Sequence, residues 1–291
     1  MNPNQSQKAL INVYDDELAL VRGLSKVIVD LAYVCQQHHG KFVAALSGGS
    51  TPVPLYNMLA TSEFASLVDW KKCYFFLSDE RCVPIDSDES NYKMIHDHLY
   101  SKVPVPQENL FKLTDPDKDP QKAAELYEEQ IRKYCEEENG LPQFDMVLLG
   151  LGGDGHTASL FPGSPALKER KRLCVSNKVE KLNAERITFT YPLLNNARNV
   201  YFLVAGENKS EIVRKVLTES ESESSSSSGI AYPASLVGAL PPRTKEEQEE
   251  KDCAQTCTVR LCESNSTEWF LDEAAARGLI SQSDTVASGS Q

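Results

Sequence analysis

A chain of 291 residues that is 41% hydrophobic and 25% charged has the composition of an ordinary globular protein. Single cores stop growing at roughly 250–300 residues, so a core of ample size is available and no disulfide or metal staple is needed for stability. The formal net charge of -12 argues against sequence-independent nucleic-acid binding, which needs surplus Lys and Arg, and it makes any locally basic pocket informative.

The segment Met1 to Leu10 is polar and lacks both the apolar stretch of a secretory signal and the arginines of a transit peptide. No run of about 18 apolar residues occurs, so a cytoplasmic chain without a membrane span is the expectation. The eight cysteines are then expected to be reduced. Cys253, Cys257 and Cys262 cluster late in the chain, but no histidine lies near them and their spacing is wrong for a zinc ribbon. No metal is expected there.

In chain order, a helix is expected near Asp16 to Cys35, followed by a short apolar strand at Lys41 to Leu46 that ends in Ser47-Gly48-Gly49. A helical segment runs from about Pro52 to Leu59. Cys73 to Leu77 reads as a buried strand leading into the polar stretch Ser78 to Asn91, and helices follow at Tyr92 to Tyr100 and Pro120 to Cys135. Met146 to Leu151 is another buried strand, running into Gly152-Gly153-Asp154-Gly155-His156. Arg186 to Tyr191 and Val200 to Val204 complete the strands, and a helix is expected at Lys209 to Leu217. Continuous apolar strands separated by helices predict an α/β fold, a mainly parallel sheet with helices on both faces.

The last quarter differs. Ser220 to Ser228 is a Ser/Glu low-complexity tract and Lys245 to Asp252 a charge run, so residues 219–262 are read as a loop insertion. Thr267 to Leu279 returns to an apolar-periodic pattern and is expected to be a helix. A single catalytic domain over 1–291, interrupted before its closing helix, is the predicted organisation.

Four strand ends carry residues suited to chemistry. At Leu46 to Pro52 two glycines turn the chain, and Ser50 and Thr51 stand where a helix begins, which presents N–H groups and hydroxyls to an anion. The Gly-Lys-Ser/Thr ending of a Walker loop is absent, and a plain N-capped turn is the alternative. At Leu77 to Pro84, Arg81 can grip a phosphate in bidentate fashion, while Asp79 and Glu80 can orient it or touch sugar hydroxyls; a solvated turn is the competing reading. In the segment Met146 to Pro162, His156 is the one of five histidines in such a loop. His38, His39, His96 and His98 read as surface residues on polar helical stretches. His156 can take a proton from water and return it, with Asp154 able to orient it and Gly153 allowing close ligand approach. A structural histidine capping the next helix remains the alternative. Lys209, after the strand Tyr201 to Val204, supplies a second cation at the same edge, and Arg186 is a weaker candidate because of its register.

Together these segments resemble the 6-phosphogluconolactonase family within the glucosamine-6-phosphate isomerase/lactonase superfamily. The resemblance rests on Ala45 to Pro52 (ALSGGSTP), Trp70 to Pro84 with Ser87 to Tyr92, and Phe144 to Pro165 (FDMVLLGLGGDGHTASLFPGSP). Arg186 to Lys209 and Trp269 to Leu279 extend it. It covers the chain from about Leu10 to Leu279, apart from the stretch from about Glu219 to Cys262. It implies a doubly wound, Rossmann-like, NagB-type fold and hydrolysis of a phosphorylated sugar lactone without metal or organic cofactor. It also implies that His156 is the general base and that Gly48, Gly49, Ser50, Thr51, Arg81 and Lys209 form the phosphate site. No G-x-S-x-G elbow is present, so no serine nucleophile is expected. The expected partner is a small phosphorylated lactone, with no nucleic acid or membrane, and the expected state is a monomer or weak homo-oligomer. The rivals are a deaminase or isomerase of the same superfamily and a sugar-phosphate-binding regulator that has lost the chemistry.

Overall fold

The computed structural model describes residues 10–113, 119–138, 140–180, 184–218, 232–238 and 266–280. Strand β1 (Leu10–Tyr14) leads into helix α1 (Glu17–His38), whose N-cap Asp16 accepts a hydrogen bond from Ala19 N at 2.7 Å. Then come β2 (Phe42–Leu46), α2 (Val53–Leu59), α3 (Ser62–Ala65), β3 (Cys73–Leu77) and the short strand β4 (Asp79–Arg81). Next are α4 (Asn91–His98), α5 (Pro120–Tyr134), the hairpin of β5 (Glu136–Glu138) and β6 (Leu141–Gln143), and β7 (Met146–Leu149). The chain continues through β8 (Cys174–Val179), β9 (Ala184–Phe189), α6 (Tyr191–Asn195), β10 (Asn199–Val204) and α7 (Ser210–Thr218). It closes with β11 (Ser266–Asp272) and α8 (Glu273–Ile280).

Six strands form one sheet in the order β1-β11-β10-β7-β2-β3, and every neighbouring pair is parallel. All residues of β2, β7 and β10 are buried, so apolar side chains are covered on both faces, as a doubly wound α/β sheet requires. From β2 the chain steps outward to β3, and it later returns on the other side of β2 as β7. The strand order therefore reverses between β2 and β7, and ligands of such sheets bind outside the carboxyl ends at that switch point. Both glycine-rich loops of the sequence leave from it.

Arg186 to Tyr191 is not part of this sheet. It contributes β9 to a separate antiparallel sheet of order β4-β9-β8, in which Arg81 lies directly opposite Arg186. Behind the annex, Phe144 packs edge to face on Phe76 and stacks on Phe189, and Tyr127 of α5 accepts a hydrogen bond from Leu77 N at 2.7 Å where β3 gives way to β4.

Two expectations are corrected. Thr267 to Leu279 is not one helix: Ser266–Asp272 is a strand paired in parallel with both β1 and β10, and only Glu273 onward is helical. Trp269, Phe270 and Leu271 fill a slot in the middle of the sheet, with Trp269 stacked on Phe202 at 4.1 Å, so tertiary pairing overrides the helical periodicity. His39 is not a surface residue either. It caps the end of α1 with its side chain only 16% exposed, against Asp145. The Ser220 to Ser228 tract, the Lys245 to Asp252 run, Cys253, Cys257 and Cys262 lie outside the described residues, as does the rest of the 219–262 stretch except 232–238.

Candidate active site

The loop after β2 is an open cradle of main-chain donors. Gly49 adopts φ 88°, which turns the chain sharply into α2. Among the described residues none accepts a main-chain hydrogen bond from the N–H groups of Gly48, Gly49, Ser50 or Thr51, so these donors face outward at the mouth of the switch point. Gly48 is required by a close approach, because a Cβ there would overlap the Asn91 carboxamide. Asn91 is held in turn by its own Nδ2, which donates to Asp79 O at 2.9 Å.

Beside the cradle, β4 and β9 set two guanidinium groups side by side. Like charges directly opposite on a ladder repel. Burial, with the neighbouring Arg81 guanidinium, holds Arg186 below its ordinary pKa. Arg186 Nε is buried and has no hydrogen-bond partner among the described residues, while Arg81 is braced on Glu89 O. A polyanion between them would relieve both conditions. Asp79 and Glu80, read from the sequence as groups that orient the phosphate or touch sugar hydroxyls, are turned inward instead. Asp79 accepts from Ser159 Oγ at 2.6 Å and thereby ties β4 to the histidine loop. Glu80, 1% exposed, accepts from Asn91 N and Tyr92 N, both at 2.8 Å, and so caps α4. Burial pushes the Glu80 carboxyl up, against these backbone hydrogen bonds.

The loop after β7 holds a histidine still. Gly152 N donates to His156 O at 2.8 Å, Gly155 N to Gly152 O at 2.9 Å, and Thr157 Oγ1 to Gly150 O at 2.9 Å. Ala158 is the one described non-glycine residue with positive φ, 46°. That conformation is held by the next residue, since Ser159 N donates to Thr188 Oγ1 and Ser159 O accepts from Asn177 Nδ2. The His156 ring stacks on Phe161 with centroids 4.1 Å apart. Its Nδ1 lies 2.5 Å from Asp154 Oδ1, and both side chains are about one-third exposed, at 30% and 31%. A carboxylate at Nδ1 places the ring proton there and leaves Nε2 with its lone pair. Gly153 is exposed at the tip of the loop.

Lys209 stands in the turn before α7 and donates to Leu151 O at 2.7 Å, which puts its ammonium at the root of the histidine loop with two donors remaining. The structure thus brings Gly48 to Thr51, Asp79, Arg81, Gly153, Asp154, His156, Arg186 and Lys209 to one edge of the sheet. Sequence reasoning missed two supports. Tyr232 and Ala234, inside the stretch read as an insertion, pack on the loop: Ala234 N donates to Gly155 O at 3.0 Å, and a Cβ on Gly155 would meet the Tyr232 ring. Asp272, at the end of β11, accepts from Gly206 N at 3.0 Å and so sets the turn that carries Lys209. The first had no signal beside a low-complexity tract, and the second was hidden by the helical reading of Thr267 to Leu279. Among the described residues, no group of three metal-ligating side chains forms at this edge.

Comparison with known proteins places this arrangement. The family described as glucosamine-6-phosphate isomerases/6-phosphogluconolactonase matches residues 15–245, and the chain belongs to it. Relatives within that class include lactonases by name. The 6-phosphogluconolactonase of Rattus norvegicus is 34% identical over 271 residues, 92% of this chain and 93% of that protein. The Nostoc 6-phosphogluconolactonase is 38% identical over 233 residues, 79% of this chain and 91% of that one. The solved structure of 6-phosphogluconolactonase from Trypanosoma brucei superposes with a TM-score of 0.73 at 28% identity, covering 94% of this chain and 99% of that chain.

Proposed function

We propose that this protein hydrolyses 6-phospho-D-glucono-1,5-lactone to 6-phospho-D-gluconate, the second step of the oxidative pentose phosphate pathway, with His156 as general base. The observation that carries the reading is the His156–Asp154 pair, 2.5 Å apart on a heavily braced loop, beside an open set of anion donors. His156 Nε2 takes a proton from water as the oxygen adds to the lactone carbonyl carbon, giving a tetrahedral oxyanion. The intermediate collapses with cleavage of the bond from that carbon to the ring oxygen. The imidazolium returns its proton to the departing oxygen. Asp154 holds the ring by Nδ1 while Nε2 takes and returns the proton, and the outward N–H groups of this edge offer donors for the oxyanion.

Gly48, Gly49, Ser50, Thr51, Arg81, Arg186 and Lys209 are assigned to the phosphate, whose binding orients the lactone rather than performing chemistry. Asp79 acts from behind, through Ser159. The enzyme needs no organic cofactor for these steps. No helix among the described residues is long and apolar enough to cross a membrane. The reading takes the enzyme to be a cytoplasmic monomer or weak homo-oligomer with one catalytic domain.

The test is lactone hydrolysis above the spontaneous rate, in wild type and His156→Ala, with glucosamine-6-phosphate as a second substrate. The expected result is hydrolysis that drops about 10²–10⁴-fold in the variant, and no turnover of the amino sugar. Full activity in the variant overturns the base assignment. Turnover of glucosamine-6-phosphate alone overturns the lactonase reading in favour of an isomerase or deaminase.

A further inference from the structure

At the opposite, amino edge of the sheet a second cluster of reactive side chains plays no part in the proposed chemistry. Cys35 lies in the last turn of α1, and His39 follows four residues later at its cap, so both project from the same face. Asp145 immediately precedes β7. The Cys35 thiol, a His39 ring nitrogen and an Asp145 carboxylate oxygen all lie within 4.8 Å of one another. Cys35 and Asp145 are buried. Both His39 nitrogens are buried as well, and neither makes a hydrogen bond to a described residue. Nε2 stands 3.1 Å from Asp145 Oδ1, close in distance but outside hydrogen-bonding geometry. A buried imidazole with both nitrogens unsatisfied is costly and calls for a partner that accepts a lone pair.

We propose that Cys35, His39 and Asp145 form a binding site for a divalent transition-metal ion, zinc by the chemistry of its donors, that fastens the end of α1 to the start of β7. Sulfur, imidazole and carboxylate are the three donor types zinc takes, and the i, i+4 spacing on a helix is a recurrent way of presenting two of them. Donors around tetrahedral zinc stand roughly 3.3–3.6 Å apart by its ordinary bond lengths, so closure from the observed cluster needs shifts of about 1 Å. A thiolate, a carboxylate and a neutral imidazole balance the two charges of the ion, and water completes the fourth position.

The cations nearby are already engaged. Arg198 contacts Glu136 at 3.0 Å as well as Asp145 at 3.5 Å, and Lys41 donates to Tyr134 O at 2.7 Å. Asp145 Oδ2 accepts from Val43 N at 2.8 Å, which fixes the carboxylate and leaves Oδ1 toward the histidine. The late cysteines, by contrast, have no histidine beside them in sequence. The site is therefore assigned to the edge of the sheet away from the cradle, where an ion acts on the scaffold.

The experiment uses the full-length, tag-free protein, stripped of metal and titrated with Co2+, reading the thiolate-to-cobalt charge-transfer band and its loss on adding Zn2+. One equivalent is expected to bind in wild type with that band. In Cys35→Ser the band should vanish, and in His39→Gln the affinity should fall about tenfold or more. Absence of the band in wild type overturns the proposal without recourse to any variant. A band of unchanged midpoint in both variants also overturns it, and assigns the ion to another of the chain's thiols.

Discussion

Two glycine-rich strand ends lie next to each other at the switch point, and they are built in opposite ways. The loop after β2 leaves the main-chain donors of Gly48 to Thr51 without acceptors among the described main-chain groups, and a Cβ at Gly48 would meet Asn91. The loop after β7, from Gly150 to Leu160, uses its groups internally: Gly152, Gly155, Thr157 and Ser159 all donate within the protein. Donors left open at a turn into a helix face solvent and are available to the oxygens of a ligand. Donors used up mark where a side chain must not move. On the proposed function, one loop receives charge and the other aims an imidazole, and the same residue, glycine, serves both ends for different reasons.

Changes in the braced loop should therefore act on turnover and changes around the open one on binding. The largest effect after loss of His156 itself is expected for Gly152→Ala. A Cβ at this position would overlap the His156 ring at Nδ1 and Cε1, displacing the imidazole from both Asp154 and its attack line. Displacement on that scale costs about 10²-fold in kcat, with KM for the lactone little changed; steady-state kinetics on freshly generated lactone measures it. A variant that instead raises KM at constant kcat would break the comparison.

Arg186→Ala should act the other way and more weakly. It removes one of two guanidinium groups facing the proposed phosphate, but also the repulsion from Arg81. KM for the phosphorylated lactone is expected to rise about tenfold, the value of one charge-assisted hydrogen bond. Hydrolysis of the unphosphorylated glucono-lactone should be unaffected. Equal loss on both substrates would mean that Arg186 serves the carbonyl rather than the phosphate.

How much of this was legible depended on the range of the interaction. Buried strands such as Phe42–Leu46 and Met146–Leu149 announce themselves as apolar runs, and the residues that leave their ends, Gly48 to Thr51 and Asp154 to His156, inherit a position from them. Arg81 and Lys209 were found for the same reason. Strand β4 was not, because Asp-Glu-Arg has no strand signature; its backbone pairs with β9 only once distant residues have packed. The Asp79–Ser159 hydrogen bond and the seat of Tyr232 on Gly155 are likewise products of long-range packing that no local pattern encodes. For β11, two short patterns abut: a strand of bulky residues and then a short Ala-rich helix, which together mimic one longer helix.

The mildest prediction concerns a residue that belongs to neither loop yet holds them together. Glu80 is buried, and its carboxylate accepts from Asn91 N and Tyr92 N at 2.8 Å, Arg81 N at 2.7 Å and Ser90 Oγ at 3.1 Å, so it places Asn91 against Gly48. Glu80→Gln keeps the shape but replaces one accepting oxygen with a donor. A loss of about 1 kcal/mol is expected, a fall in Tm of about 2–4 °C for a domain of this size, with kcat nearly unchanged. The pH dependence sharpens the point. Burial raises the folded-state pKa of Glu80 above its unfolded value, so the folded chain keeps this proton when the unfolded chain has released it. The stabilising contribution is full below the unfolded pKa, about 4.3, and is lost as pH rises through the folded one. Gln cannot ionise and escapes that loss. The stability advantage of wild type over Glu80→Gln should therefore shrink as pH rises from about 4 toward neutrality, measured by thermal unfolding across that range. An advantage that grows with pH would show that the hydrogen bonds to the ionised carboxylate outweigh its burial, and that the α4 cap is held by charge.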